Sequence, residues 1–139
     1  MNLLLPFVRP GDVAAAAAAD VIVTFWGVPR RLAATVWIHQ CGSVEEAKAA
    51  AAAGADGVIA QGVEAGGHVR GTTPALEVLE QVRAAVDIPV LVAGGIVDAH
   101  GVRQALEAGA TAAVVGTRFL ISEECRAHAE YKKRCLGGR

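Results

Sequence analysis

One pattern recurs three times along this 139-residue chain and restricts its fold more than any other feature. A small-residue helix end leads through a turn into a buried strand, and a glycine follows the strand. The three copies read AAAAAADVIVTFWG, AAAAGADGVIAQG and ALEAGATAAVVGT. Their strands begin near Asp20, Asp56 and Thr111, a spacing that suits βα units. Repeated βα units predict a parallel sheet, either open and doubly wound or part of a (β/α)8 barrel.

Short runs rich in Val, Ile and Leu supply the strands of this sheet. Most are apolar throughout rather than alternating, which is typical of parallel strands buried on both faces. The predicted strands are Leu3–Phe7, Val21–Trp26, Val36–Gln40, Gly57–Gln61, Val90–Ala93 and Ala112–Val115. A closed eight-stranded barrel usually takes about 200 residues or more, so the sheet is expected to be open or to form part of a barrel.

Helix-forming segments with apolar residues at helical spacing lie between these strands. The predicted helices are Val44–Ala53, Pro74–Val86 and Ala99–Ala108. Ser43 is expected to cap the first, in a capping box with Glu46. Pro74 is expected at the first position of the second helix. Asp98 can cap the third, and Gly109 can end it in the left-handed conformation.

Composition and charge exclude several classes of protein. A hydrophobic fraction of 53% allows a core, and a net charge of -1 argues against nucleic-acid binding and an electrostatic membrane anchor. No run reaches the roughly 20 apolar residues of a membrane span, and the N-terminus lacks the basic region of a signal peptide. Three scattered cysteines, Cys41, Cys125 and Cys135, indicate reduced thiols. We therefore expect a soluble, cytoplasmic protein.

Three loops that follow predicted strands hold the candidate functional residues. In the first, Gln61 and Glu64 stand at the end of a buried strand, and Gly66 and Gly67 let the backbone approach a flat ligand closely. His68 comes next, and a histidine there suits a general base or a hydrogen-bond donor near neutral pH. The alternative is a flexible turn whose histidine contacts only solvent.

The other two loops carry the glycine pair Gly94-Gly95 and the segment that starts Gly116-Thr117. Amides freed by such glycines bind anions, and in barrels the loops after the last two strands commonly form a phosphate site. We expect the Thr117 hydroxyl and the amides of Gly95 and Gly116 to hold a phosphate. A simple turn at each glycine is the alternative.

Other polar and aromatic residues receive no functional role. The Lys132–Arg134 cluster is interpreted as a solvated helix end, and Trp26 and Trp37 as packing residues, although Trp26 could reach a pocket. No Gly-x-Gly-x-x-Gly motif and no P-loop are present, which argues against nicotinamide and ATP sites of those kinds. The remaining histidines have no partner at metal-ligand spacing, so no metal site is predicted; they are His39, His100 and His128.

Four segments carry a family signature by their order and spacing. They are NLLLPF at Asn2–Phe7, QGVEAGGHVRG at Gln61–Gly71, PVLVAGGI at Pro89–Ile96 and VVGTRFLISEE at Val114–Glu124. Together they resemble the nitronate monooxygenase family, also called 2-nitropropane dioxygenases, which are FMN-dependent (β/α)8 barrels. The resemblance covers most of the chain, from the third strand of the family barrel to the eighth.

The resemblance implies bound FMN and the oxidation of an alkyl nitronate by O2 to a carbonyl compound and nitrite. His68 matches the active-site histidine of the family, which would hydrogen-bond to the nitro group or take the α-proton of a neutral nitroalkane. The residues implied as FMN contacts are Asn2, Gln61, Gly66, Gly67, Gly94, Gly95, Gly116 and Thr117.

The chain also departs from the family pattern. It begins at what would be the third barrel strand, the helix expected between Trp26 and Val36 is missing, and the segment after Glu124 stops at Arg139. Six strands out of eight would leave two open sheet edges. Residues 1–139 are therefore expected to form a single partial (β/α)8 domain, either a fragment or one that closes by pairing with another copy of the chain.

Three alternative functions share the same loops. The first is an FMN-dependent enoyl-thioester reductase of the same barrel type, which would need NAD(P)H. The second is a partial barrel that keeps a flavin or phosphate cradle and has no catalytic activity. The third is an open-sheet domain that binds a phosphorylated sugar without flavin. The expected partners of the first-choice function are a nitronate or nitroalkane and O2, without nucleic acid or membrane.

Overall fold

A computed structural model describes residues 1–32 and 36–137 of the chain. The strands are β1 (Asn2–Leu4), β2 (Val21–Phe25), β3 (Val36–Cys41), β4 (Gly57–Gln61), β5 (Val90–Ala93) and β6 (Ala113–Val114). The α-helices are α1 (Pro10–Ala16), α2 (Val44–Ala52), α3 (Ala75–Arg83), α4 (Ala99–Glu107) and α5 (Ala129–Leu136). Two short 3-10 helices cover Leu5–Phe7 and Thr117–Ile121.

All six strands run parallel in one curled sheet whose spatial order is the chain order, from β1 to β6. Within the described residues β1 pairs only with β2 and β6 only with β5, so both edges of the sheet are open. Helices cover one face of the sheet: α2 packs on β3 and β4, α3 on β4 and β5, and α4 against β6. This is a partial (β/α)8 barrel, as the sequence predicts.

The buried strand at the centre of the sheet carries the core. Every residue of β4 is buried, and Val58 of this strand packs in one apolar cluster with Trp37, Leu79 and Val92. Because a parallel strand covered on both sides has no solvent-facing positions, its near-continuous apolar sequence is what this location requires. The cluster anchors the strands whose ends carry the candidate loops.

Four of the six strand predictions are corrected at their ends. Of these, β3 extends one residue beyond the predicted Val36–Gln40, and β6 is one residue shorter at each end than the predicted Ala112–Val115. Leu3–Phe7 is a strand only in its first half, because the chain turns into a 3-10 helix at Leu5 with Pro6, which has no N–H to donate to a sheet. The strand predicted as Val21–Trp26 ends at Phe25, because Trp26 has a φ of 64° and leaves the extended conformation. The predictions Gly57–Gln61 and Val90–Ala93 match β4 and β5.

Helix caps follow the local signals with two differences. The Ser43 side chain accepts a hydrogen bond from the Glu46 amide, as expected, but the Glu46 carboxylate accepts from Gly42 instead of Ser43. Pro74 precedes α3 as its N-cap residue and is not the first helical position. Two helix-end predictions are confirmed: Asp98 caps α4 through the Gly101 amide, and Gly109 ends the helix with a φ of 90°. The predicted Lys132–Arg134 helix end lies in α5.

A buried polar chain joins β2 to β3. Trp37 donates its Nε1–H to the Thr24 hydroxyl at 2.7 Å, and the Thr24 oxygen lies 2.8 Å from Nδ1 of His39. The Thr24 hydroxyl therefore accepts from the indole, and its remaining lone pair or its proton is shared with Nδ1 of His39. Burial lowers the pKa of His39 below its usual value, which favours the neutral imidazole.

The sequence predicts that no helix lies between Trp26 and Val36. Residues 27–32 contain none, and residues 33–35 lie outside the described part of the chain. Arg31 attaches this connection to the next βα unit. Its guanidinium donates to the Asp56 carboxylate at 2.8 Å and to the Gly54 carbonyl at 2.6 Å, and it lies 5.7 Å from the centre of the Trp37 ring.

No helix within the described ranges is long and apolar enough to cross a membrane.

Candidate active site

The carboxyl ends of the strands open onto two clefts that meet. The larger has a volume of about 670 Å³ and the smaller about 290 Å³, and Gln40, Gln61 and Gly66 line both. Small-molecule and cofactor sites usually measure about 300–1,000 Å³, so the larger cleft is by itself large enough for such a site. The last residues of five strands line the two clefts: Leu4, Phe25, Gln61, Ala93 and Val114.

The predicted anion-binding groups come together in the larger cleft. Gly94, Gly95, Gly116 and Thr117 all line it. Gly94 and Gly95 have φ values of 133° and 67°, which side chains rarely adopt, so these positions require glycine. Within the described residues the amide N–H groups of Gly95, Gly116 and Thr117 donate to no backbone carbonyl. Free amides in two adjacent loops are the arrangement that binds an anion.

Gly66 and Gly67 form the side of the larger cleft that belongs to the loop after β4. A side chain at Gly66 would occupy the position of the Thr117 hydroxyl. Gly67 has a φ of 79° and open space beside it. The backbone at Gly67 therefore has no side chain beside it, which lets a flat ligand approach it.

The side chain of Gln61 lies where the two clefts meet. It is only 3% exposed, and its Nε2 donates to the backbone carbonyl of His68 at 3.2 Å. Its Oε1 is buried and accepts no hydrogen bond within the part of the chain that the structure describes. A buried acceptor without a donor is costly, so this oxygen is suited to accept a hydrogen bond from a ligand.

Glu64, which the sequence places after the end of β4, has a structural role. Its carboxylate accepts from the Ala75 amide at 3.0 and 3.3 Å and so caps the start of α3, for which no side-chain cap is predicted from the sequence. A negative charge is favourable at a helix N-terminus. The bond also joins the loop after β4 to the helix that follows it.

His68 and Asn2 line the smaller cleft together with Phe25. The imidazole of His68 is exposed, and its ring centre lies 5.2 Å from that of Trp26 with the ring planes 88° apart. The structure thus places every site residue predicted from the sequence along the two clefts. Trp26, interpreted as a packing residue, contacts the candidate catalytic histidine.

Two polar residues that the sequence did not single out also line the site. Gln40 lies near the end of β3 and lines both clefts, as Gln61 does on β4. A polar residue at the end of a buried strand was therefore the signal that could have found it. Tyr131 reaches the larger cleft from α5, and no local pattern points to such a contact.

Residues 11–138 match the model of a protein family described as nitronate monooxygenase. The chain belongs to this family. The match confirms the family resemblance and includes three of the four segments, since Asn2–Phe7 precedes the matched residues. The related proteins described next bear names of enzymes.

Two curated relatives have different names. The nitronate monooxygenase of Pseudomonas aeruginosa is 46% identical over 103 residues, which cover 68% of this chain and 29% of that enzyme. The (3aS,4S,5R,7aS)-5-hydroxy-7a-methyl-1-oxo-octahydro-1H-indene-4-carboxyl-CoA dehydrogenase of Rhodococcus jostii is 45% identical over 94 residues, which cover 68% of this chain and 26% of that enzyme. The chain therefore spans less than a third of the length of either relative.

Among solved structures, the nitroalkane oxidase of Streptomyces ansochromogenes superposes with a TM-score of 0.80 at 39% sequence identity. The superposition covers 88% of this chain and 41% of that structure. The fold of that nitroalkane oxidase thus extends over nearly the whole chain, and the chain accounts for less than half of that structure.

Proposed function

We propose that this chain forms the FMN- and nitronate-binding part of a nitronate monooxygenase. The observation that supports this most is one convergence: unpartnered amides of two glycine loops and the unpaired Oε1 of Gln61 line the same cleft. FMN combines a phosphate with a flat ring that carries N–H and carbonyl groups. A site for it needs both kinds of partner.

The residues present fit this cofactor. The amides of Gly95 and Gly116 and the Thr117 hydroxyl would hold the phosphate, because they are free donors in one cleft and the space beside Gly116 holds no side chain. Gln61 would accept a hydrogen bond from a ring N–H, and Gly66 and Gly67 would let the ring approach the backbone. Asn2 would contact the cofactor from β1. Gly94 is needed for the turn that presents Gly95.

Bound FMN supplies the electron transfer that oxidises the nitronate with O2 to a carbonyl compound and nitrite. His68 contributes the acid–base chemistry at the substrate. A protonated imidazole donates a hydrogen bond to a nitro oxygen, and a neutral one accepts the α-proton of a neutral nitroalkane. Gln61 holds the His68 carbonyl and so keeps this residue beside the cleft.

A second candidate is an FMN-dependent oxidoreductase that acts on an acyl thioester, such as an enoyl-thioester reductase. It is favoured by the 45% identity to the Rhodococcus jostii enzyme, whose name specifies a carboxyl-CoA substrate. The two candidates differ in their electron donor and product. Nitrite release without NAD(P)H favours the monooxygenase, and reduction of the flavin by NAD(P)H with turnover of an enoyl thioester favours the second candidate.

The test is turnover by the full chain after loading with FMN and removal of free flavin. The anion of 2-nitropropane is the substrate, and nitrite is measured. We expect nitrite from the wild type and from the control His100→Ala, whose side chain is exposed on α4 away from both clefts. His68→Ala should retain FMN and lose turnover by about a hundredfold, the size expected when a hydrogen-bond donor to the nitro oxygens of the anion is removed. A chain that retains FMN but forms no nitrite contradicts the proposal.

A further inference from the structure

Trp26 has an unusual backbone conformation immediately after β2. Within the described residues it is the one residue other than glycine with a positive φ, at 64°. The next residue, Gly27, has a φ of 70°, and a Cβ there would lie 3.3 Å from Cβ of Leu5. The turn is thus packed tightly against the 3-10 helix after β1. For a bulky side chain this conformation is strained, and such strain tends to occur at functional sites.

The strained turn brings the indole ring to the imidazole of His68. The ring centres are 5.2 Å apart and the planes are 88° apart, which is the edge-to-face geometry that aromatic pairs favour. The indole also contacts Phe25, at 5.8 Å between ring centres. Phe25 and His68 both line the smaller cleft, so the indole supports two residues of its wall.

Hydrogen bonding does not explain the position of the indole. Its Nε1 is buried, and it has no hydrogen-bond partner within the described part of the chain. A buried N–H without an acceptor is unfavourable, as is the backbone conformation. Despite the unpaired N–H and the strained backbone, the indole is held in contact with the imidazole of His68.

We propose that Trp26 is a positioning residue for His68. Two contacts then hold this histidine: Gln61 binds its backbone carbonyl, and Trp26 restricts its imidazole to the orientation found at the wall of the smaller cleft. The imidazole is thereby oriented before a substrate arrives. The inference rests on the proposed function, in which His68 meets the nitro group or the α-proton.

Two variants of the full chain separate the ring from the backbone strain. Trp26→Gly removes the ring and suits a positive φ, so it favours folding. Trp26→Phe keeps an aromatic ring and removes the unpaired N–H. The readout is the NMR spectrum of the imidazole protons without FMN. We expect the His68 signals to move to the positions of free histidine in Trp26→Gly and to stay displaced in Trp26→Phe, with the His100 signals unchanged in both.

Turnover of the 2-nitropropane anion gives the functional readout. In Trp26→Gly we expect kcat to fall about two- to tenfold with little change in KM, and in Trp26→Phe we expect kcat near that of the wild type. His68 signals in Trp26→Gly that match the wild type overturn the inference, as does an unchanged kcat. The NMR test needs no flavin, so a chain that fails to bind FMN contradicts the proposed function without deciding the role of Trp26.

Discussion

Gly66 and Thr117 meet where the loop after β4 touches the loop after β6, and the Thr117 hydroxyl occupies the space that a side chain at position 66 would fill. Strand β5 lies between these two strands in the sheet, so the contact joins loops that are not direct neighbours. It brings the bare backbone of the first loop beside the expected phosphate-binding groups of the third. The shape of the larger cleft therefore depends on glycine at position 66.

Gly66→Ala is expected to destabilise the chain by about 1–3 kcal/mol, because a methyl group must displace the Thr117 side chain. Gly116→Ala is the matched control in the same cleft: a Cβ there meets no atom within 4 Å, and its φ of -119° suits alanine. The control should keep the melting temperature of the wild type and weaken FMN binding, because the methyl group takes the place of the phosphate. Equal melting temperatures for Gly66→Ala and the wild type would show that the loops do not meet as described.

Thr24→Val should cost about 2 kcal/mol or more, because it leaves the Trp37 N–H and Nδ1 of His39 buried without partners. Thr24→Ser keeps the hydroxyl and loses only a methyl group, so its cost should be about 1 kcal/mol. Urea unfolding of the two variants gives the difference. If valine and serine cost the same, the hydroxyl does not connect the two rings.

The stability of the chain should fall on mild acidification because of His39. Burial lowers its pKa in the folded chain, an effect reinforced by Arg70 and opposed by Glu46, while the unfolded chain titrates at about 6.5. The unfolded state therefore takes up this proton first, and the free energy of unfolding decreases as the pH falls through about 6.5 towards the folded pKa. Above that range the full stability is present.

Unfolding free energies measured between neutral and mildly acidic pH check this dependence. His39→Gln should show a shallower decrease than the wild type, whereas His100→Gln, with an exposed side chain, should follow the wild type. A decrease that is identical in all three proteins would assign the pH dependence to other groups.

Cys41 should resist alkylation while the chain is folded. It is fully buried, its Sγ lies 3.4 Å from the Ile59 carbonyl, and burial raises the pKa of its thiol to about 12. Because the thiolate is the reactive form, iodoacetamide at mildly alkaline pH should modify Cys125 and Cys135, which are half-buried, and reach Cys41 only after unfolding. Mass spectrometry of the folded protein locates the modified residues. Modification of Cys41 at the rate of the other two would contradict its burial.

Much of the fold could be predicted because the signals are local. The strands β4 and β5 follow from uninterrupted apolar runs, and the caps at Ser43 and Asp98 from side chains that bond within three residues. The placement of the site residues also follows from the sequence. Parallel strands bring their carboxyl ends to the same edge of a sheet, so loops far apart in the chain converge there.

The rest depends on contacts between distant residues. Glu64 caps a helix that begins at Ala75, and this pairing needs the loop to fold back first. The positive φ of Trp26 and its contact with His68 join the loop after β2 to the loop after β4, which no periodicity or spacing encodes. Tyr131 enters the cleft from the last helix in the same way.

The visible absorption spectrum of the full chain, recorded after addition of FMN and removal of free flavin, tests the proposed cofactor site most directly. We predict that flavin bands remain with about one FMN per chain, and that Gly116→Ala retains less than the wild type. A colourless protein whose circular dichroism shows that it is folded would contradict the assignment of the glycine loops and Gln61 to FMN.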